Sequence, residues 1–310
     1  MDGTTTQRAR RAGRIDLLGP AELASLGGLE FVARHVVEGF LAGLHRSPHR
    51  GFSVEFAEHR MYQPGDDLRY VDWRMYGRSD RYYIKQFEEE TNLRAYLLVD
   101  ASASMAWSSA PGQLPPKLWY AKQLAASLAL LLLRQGDSVG VIAFDEAIRA
   151  HVRPSGGRRH WYDVVHALDT VQASGRTEAG SALRDVAGRL SRGGLVILFS
   201  DLLVDPEATR LALRFLRHRG HEVLVFHLLD PGERELPGIG DARFVDPETG
   251  EELPVSVADL RLEYREAVER ALMEWRQSLE PYGVEYALIE TDRAMTHALR
   301  LYLRKRERLG

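Results

Sequence analysis

From residue 94 onward, short apolar runs alternate with longer amphipathic segments. Each apolar run has the length of a strand, and each longer segment repeats its apolar residues at helical spacing. This alternation predicts a doubly wound, mostly parallel α/β sheet with helices on both faces. The predicted strands are residues 95–100, 138–144, 148–152, 195–200, 222–228 and 284–290. The predicted helices are residues 117–134, 158–171, 179–190, 206–219, 258–279 and 294–304.

The chain before residue 94 follows a different pattern. Apolar residues at helical spacing predict one or two helices over residues 20–44. Residues 51–92 combine two apolar or aromatic runs with a Pro-Gly turn, which predicts strands around a short helix. Trp73 in that helix is either a core residue or part of an interaction surface. The predicted domains are a disordered tail (1–20), a helical and strand-containing extension (21–92) and the α/β domain (93–310).

Composition narrows the possible functions. The 310 residues include no Cys, which removes disulfides, thiolate metal sites and cysteine nucleophiles. A formal net charge of -3 gives no reason to expect a nucleic-acid partner. The apolar run at residues 124–133 is about half of the ~20 residues that a membrane-spanning helix needs. We therefore expect a cytoplasmic protein that neither binds nucleic acid nor spans a membrane.

Polar residues follow two of the predicted strands at the point where each strand ends. The first strand ends at Asp100, with Ser102 and Ser104 directly after it, and the fourth is followed by Asp201. A loop between them contributes Thr177. Ligands of open α/β sheets bind at the carboxyl ends of the strands, so these oxygens converge if the two strands are neighbours. Such oxygens suit a hard divalent cation, Mg²⁺ or Mn²⁺.

The order Asp-x-Ser-x-Ser, loop Thr and strand-end Asp resembles the metal-ion-dependent adhesion site of von Willebrand factor A domains. That resemblance implies a von Willebrand factor A-like domain over residues 93–310. It also implies that the metal accepts an acidic residue from a partner protein. The metal ligands on this reading are Asp100, Ser102, Ser104, Thr177 and Asp201.

A wider resemblance, from about residue 51 onward, is to the bacterial DUF58 family. It is carried by Tyr-Gln-Pro-Gly-Asp-Asp-Leu-Arg-Tyr-Val-Asp-Trp-Arg at residues 62–74 and Lys-Gln-Phe-Glu-Glu-Glu at residues 85–90. The resemblance implies a non-enzymatic module that works with a MoxR-type AAA+ ATPase. One departure is Arg176, which stands where the family commonly has glycine before the loop threonine.

Other interpretations of the same residues remain open. Asp100 and Asp201 could each cap a following helix instead of binding a metal. Three functions are compatible with a metal site: a protein-binding adaptor, which we expect, a metal-dependent hydrolase, or a scaffold with a vestigial site. The sequence has no Gly-x-Ser-x-Gly nucleophile elbow and no phosphate-binding loop of the Gly-x-x-x-x-Gly-Lys type, so we expect neither a serine hydrolase nor an ATPase.

Overall fold

The computed structural model describes residues 19–45, 59–63, 71, 73–79, 81–85, 93–174, 179–203, 205–236, 240–245 and 251–306. The predicted tail over residues 1–20 lies almost wholly outside the described residues. Thr177 and much of the two DUF58-like segments lie outside them as well.

The N-terminal part contains short elements and one longer helix. These are α1 (Pro20–Ala24), α2 (Leu29–His45), β1 (His59–Met61), α3 (Trp73–Ser79) and β2 (Tyr83–Lys85). Strand β1 pairs antiparallel with β2, and α3 lies between them in the chain. Helix α2 buries Val36 and Phe40 in the same core cluster as the helices of the α/β domain. The domain boundary at residue 93 stays a prediction, because this helix and the domain share one apolar core.

Trp73 is 61% exposed, so of the two alternatives that the sequence left open, the core position does not hold. It is the first residue of α3, and its ring contacts Tyr76 edge to face with the centroids 6.2 Å apart. An exposed aromatic residue at the start of a short surface helix is compatible with the interaction surface that the sequence left open.

The main sheet has six strands. They are β3 (Arg94–Asp100), β4 (Ser138–Phe144), β5 (Ile148–Ser155), β6 (Gly194–Ser200), β7 (His221–Leu229) and β10 (Val284–Glu290). Their order across the sheet is β10-β7-β6-β3-β4-β5, and every neighbouring pair is parallel except β4 and β5. Counted from β3, this is the strand order 3-2-1-4-5-6 of doubly wound α/β folds. The predicted fold class is confirmed.

Helices cover both faces of this sheet. They are α4 (Lys117–Arg134), α5 (His160–Asp169), α6 (Ala179–Arg189), α7 (Pro206–His218), α8 (Pro231–Glu235), α9 (Val257–Leu279) and α10 (Met295–Arg306). Successive residues of a strand point to opposite faces, so Leu97 lies in the core with α4, and Leu98 in the core with α6 and α7. No helix in the described part of the chain is both long and apolar enough to cross a membrane.

A second small sheet follows α8. Strands β8 (Asp241–Val245) and β9 (Glu252–Ser256) pair antiparallel. In the described residues they form a separate two-stranded sheet, and helix α9 begins directly after β9.

Candidate functional site

The two strands that end in the predicted site are neighbours. Strands β3 and β6 are paired in parallel, with Val99 opposite Phe199, so Asp100 and Asp201 emerge at the same edge of the sheet. Asp100 and Ser102 are fully buried, Asp201 is 1% exposed and Ser104 is 5% exposed. Four of the five predicted residues therefore lie together, and the fifth, Thr177, is outside the described residues.

Asp100 is held by two hydrogen bonds, one to each carboxylate oxygen. Its Oδ2 accepts a hydrogen bond of 2.6 Å from Ser200 Oγ, and its Oδ1 accepts one of 2.9 Å from Ser102 N. Burial and then the charge of Asp201 raise the pKa of Asp100 to about 6. The hydroxyl oxygens of Ser102 and Ser104 lie 3.1 Å apart. Around Asp100 the cluster is thus rich in oxygen atoms.

Asp201 is paired with a buried lysine. Its Oδ2 accepts from Lys117 Nζ at 2.8 Å, and its Oδ1 accepts from Leu203 N at 3.2 Å. Lys117 is fully buried, and its ammonium group also contacts the carboxylate of Glu233 in α8. The site therefore contains an acid-lysine-acid chain beside the predicted residues.

Helix α8 is tied to the loop that follows the Asp-x-Ser-x-Ser segment. Asp230 caps this helix by accepting from Gly232 N at 2.8 Å, and its other oxygen accepts from Ser109 N at 3.1 Å. Ser109 and α8 together line a cleft of about 780 Å³, and Arg261 and Arg265 of α9 form part of its wall. A surface depression thus shares α8 with the buried site.

The interpretation of the aspartates as helix caps was wrong. Each carboxylate accepts from the backbone N–H two residues later, which closes a tight turn. The helices that follow begin elsewhere, since Pro116 is the N-cap residue of α4 and Asp205 is that of α7. The two aspartates are left pointing into the site.

Sequence reasoning missed Lys117 and Glu233. A lysine in the first turn of a helix is unfavourable because the positive end of the helix dipole lies there. Its position after Pro115 and Pro116, at the start of an almost wholly buried helix, was a usable signal. For Glu233, the sequence Asp-Pro-Gly-Glu after β7 marks a capped helix start at a third strand end.

The donor set fits a hard cation through its chemistry. Two hydroxyl oxygens and a buried carboxylate of raised pKa are oxygen ligands that lack a compensating charge. Both oxygens of Asp201 already accept hydrogen bonds, so it suits contact through a water molecule better than direct ligation. The described residues include no group of three or more His, Cys, Asp or Glu suited to a metal.

Comparison with known proteins identifies relatives of this chain. The family model described as "Protein of unknown function DUF58" matches residues 58–274, more than half of the chain. The uncharacterized protein Rv1480 of Mycobacterium tuberculosis is 29% identical over 285 residues, which cover 90% of this chain and 88% of the relative.

This chain is also similar to proteins of solved structure. BatB, a conserved hypothetical protein from Bacteroides thetaiotaomicron, matches with a TM-score of 0.45 and 16% sequence identity. The match covers 69% of this chain and 98% of the BatB chain. A von Willebrand factor type A protein from Catenulispora acidiphila matches with a TM-score of 0.32 and 19% sequence identity. That match covers 57% of this chain and 42% of the other chain.

Proposed function

This chain belongs to the DUF58 family, and we propose that it is a non-enzymatic, metal-dependent protein-binding module with a von Willebrand factor A-like fold. One observation carries the proposal. The buried Asp100 carboxylate and the paired hydroxyls of Ser102 and Ser104 meet Asp201 at the carboxyl edge of the parallel sheet.

The metal in this proposal is Mg²⁺ or Mn²⁺. Ser102 and Ser104 would hold it through their hydroxyl oxygens, while Asp100 and Asp201 would supply negative charge. Thr177 belongs to the proposed set through the sequence motif. Neutral hydroxyl ligands leave a divalent ion with strong affinity for a further anionic oxygen. When bound, the ion would accept a carboxylate from the partner protein.

The partner that we propose is an AAA+ ATPase of the MoxR type, for which this chain would act as an adaptor. The family resemblance suggests this class of partner. Asp100 and Ser102 are fully buried. We therefore expect partner binding to require a rearrangement of the loops that cover the site.

Hydrolysis is supported less well by the same geometry. A hydrolase needs a general base that can reach the attacking water. His227 lies close enough to Asp201 to interact with it electrostatically, but burial lowers the pKa of His227 to about 4. Its Nδ1 is also 2.7 Å from the hydroxyl oxygen of Tyr286. This histidine is poorly placed to deprotonate water.

Metal binding is tested by calorimetric titration of the purified chain with Mn²⁺. We expect wild type to bind the ion, and Ser102→Ala to weaken binding about tenfold or more. Ser108→Ala is the matched control, because the Ser108 hydroxyl donates to the carbonyl of Leu114 and takes no part in the site. Absence of Mn²⁺ and Mg²⁺ binding by wild type would overturn the metal part of the proposal.

Partner binding is tested with a purified MoxR-type ATPase from the same organism. We expect a complex in Mg²⁺ that is lost in EDTA and lost with Asp100→Ala. Equal binding under all conditions would show that the contact does not use the metal. The scaffold alternative would then be favoured, and the exposed Trp73 region would become the next surface to test.

A further inference from the structure

Lys117 occupies a position that is unfavourable for a lysine. It is the first residue of α4, and none of its surface is exposed. Burial of an ammonium group requires compensation, because the charge loses its hydration. A cation in the first turn also lies at the positive end of the helix dipole. Helix formation and core packing alone therefore do not account for a lysine here.

Two carboxylates offset the cost of burying this ammonium group. Asp201 follows β6 and accepts from Lys117 Nζ at 2.8 Å, while Glu233 belongs to α8 and contacts the same ammonium group. Both carboxylates lie within hydrogen-bonding distance of the buried ammonium group. Lys117 is therefore an ion-paired cation inside the candidate site.

The ammonium group occupies an oxygen that a metal ion would attract. Asp201 Oδ2 binds Lys117 and Asp201 Oδ1 binds Leu203 N, so both oxygens have partners. The site holds three acidic side chains, of Asp100, Asp201 and Glu233, and one ammonium group, so the acidic groups outnumber the cation.

We infer that Lys117 is a resident counter-cation of the site, which competes with a divalent metal for the Asp201 carboxylate and so sets the metal affinity. This inference rests on the proposed function. The alternative is a purely structural ion pair that fixes α8 to the end of β6. That alternative predicts a change in stability when Lys117 is replaced, without a change in the metal affinity of the folded protein.

The experiment is a titration of the full chain with Mn²⁺, followed by calorimetry. Lys117→Met removes the ammonium group and keeps an unbranched side chain, and we expect it to tighten Mn²⁺ binding about tenfold. Lys122→Met is the matched control on the same helix. Lys122 Nζ donates to the backbone carbonyls of Asp169 and Val171, away from the Asp201 carboxylate. We therefore expect the Mn²⁺ affinity of Lys122→Met to equal that of wild type within about twofold.

The outcomes separate this inference from the proposed function. If wild type binds Mn²⁺ and Lys117→Met binds it equally or more weakly, the inference is overturned and the metal site stands. If wild type does not bind but Lys117→Met does, Lys117 has replaced the metal, which supports the inference and overturns the metal-dependent function. If neither binds, both are overturned.

A second pair of variants covers failure of Lys117→Met to fold. Lys117→Met combined with Glu233→Gln removes one positive and one negative charge, and we expect tighter Mn²⁺ binding than in wild type. Glu233→Gln alone leaves Asp201 as the remaining carboxylate partner of Lys117, so we expect weaker Mn²⁺ binding. The inference requires that the Mn²⁺ affinity rise in the double variant and fall in Glu233→Gln alone. Affinities that change in the same direction would overturn the inference.

Discussion

Ser200 Oγ donates a hydrogen bond of 2.6 Å to Asp100 Oδ2, which links the ends of the neighbouring strands β6 and β3. Ser200 Oγ also accepts a hydrogen bond of 3.0 Å from Leu202 N. Leu202 has a φ of 53°, in the left-handed region that disfavours a leucine. One hydroxyl group therefore fixes both the carboxylate and the strained turn after β6.

Ser200→Ala tests that role. The change leaves Asp100 Oδ2 and Leu202 N without this partner in a buried environment, and we expect a loss of roughly 2–3 kcal/mol in the free energy of unfolding. Urea denaturation measures it. The control is Ser127→Ala, because the buried Ser127 hydroxyl donates only to the carbonyl of Gln123 within α4. An equal loss in both variants would contradict a special role for Ser200.

Gly194 at the start of β6 allows close approach of the adjacent strand. Its φ is +106°, and an added Cβ would lie 2.2 Å from the carbonyl oxygen of Arg94. We expect Gly194→Ala to lower the free energy of unfolding by roughly 3 kcal/mol or more, because both the backbone and β3 must shift. Thermal unfolding followed by circular dichroism gives the change.

The matched control for Gly194 is Gly188→Ala. Gly188 lies exposed in helix α6, and an added Cβ there would meet no atom within 4 Å. Since alanine is the better helix former, this variant should be neutral or gain up to about 1 kcal/mol. Equal destabilisation of the two variants would show that the close contact with Arg94 is not decisive.

Much of the fold could be predicted because the periodic pattern of each element agrees with its tertiary position. The predicted bounds of α4 and β4 match those observed, since both elements are almost wholly buried apolar runs. Strand β5 was predicted to end at residue 152 but continues to Ser155, through Pro154. Proline is tolerated because β5 is an edge strand, and Pro154 packs where Gly140 has no side chain.

The site was only partly predictable for a physical reason. Residues at the ends of parallel strands share one edge, so Asp100 and Asp201 could be paired from the sequence once the strands were identified. Lys117 lies 84 residues from Asp201 and 116 from Glu233. No local pattern encodes those contacts. They depend on where the start of α4 packs in the folded chain.

Arg306 attaches the end of α10 to the turn before β4. Its guanidinium group pairs with Asp137, whose side chain is fully buried, while that of Arg306 is 27% exposed. Arg306→Gln leaves the Asp137 carboxylate without its ion pair. Because the partial exposure of Arg306 weakens the ion pair, we expect the free energy of unfolding to fall by only about 2 kcal/mol.

Hydrogen exchange of α10 checks the effect of Arg306→Gln locally. Faster exchange should be confined first to this helix, because its attachment to the body of the domain is weakened. Arg300→Gln is the control, since Arg300 lies exposed on the same helix. Unchanged exchange in Arg306→Gln would mean that the apolar contacts of Leu299 and Tyr302 alone hold the helix.

His221 at the start of β7 gives the fold a pH dependence that is separate from the candidate site. Its ring is fully buried and lies 6.0 Å from that of Tyr96. The backbone of Gly194 is near, but neither ring nitrogen forms a hydrogen bond of good geometry among the described residues. Burial, and then the charge of Arg219, lower the pKa of His221. The folded protein therefore resists protonation of this ring.

The unfolded chain binds a proton at this histidine as pH falls below its ordinary pKa of about 6.5, whereas the folded chain does not. The contribution of His221 to the free energy of unfolding is therefore fully present above about pH 6.5 and falls as the pH is lowered. At about pH 5.5 the loss is at most about 1.4 kcal/mol. Urea denaturation at about pH 7.5 and about pH 5.5 measures the loss. We expect His221→Gln to reduce the difference between the two pH values, even though the variant is less stable at both. His218→Gln, at an exposed histidine of α7, should keep the wild-type difference, and a difference in His221→Gln as large as that of wild type would assign the pH dependence to other groups.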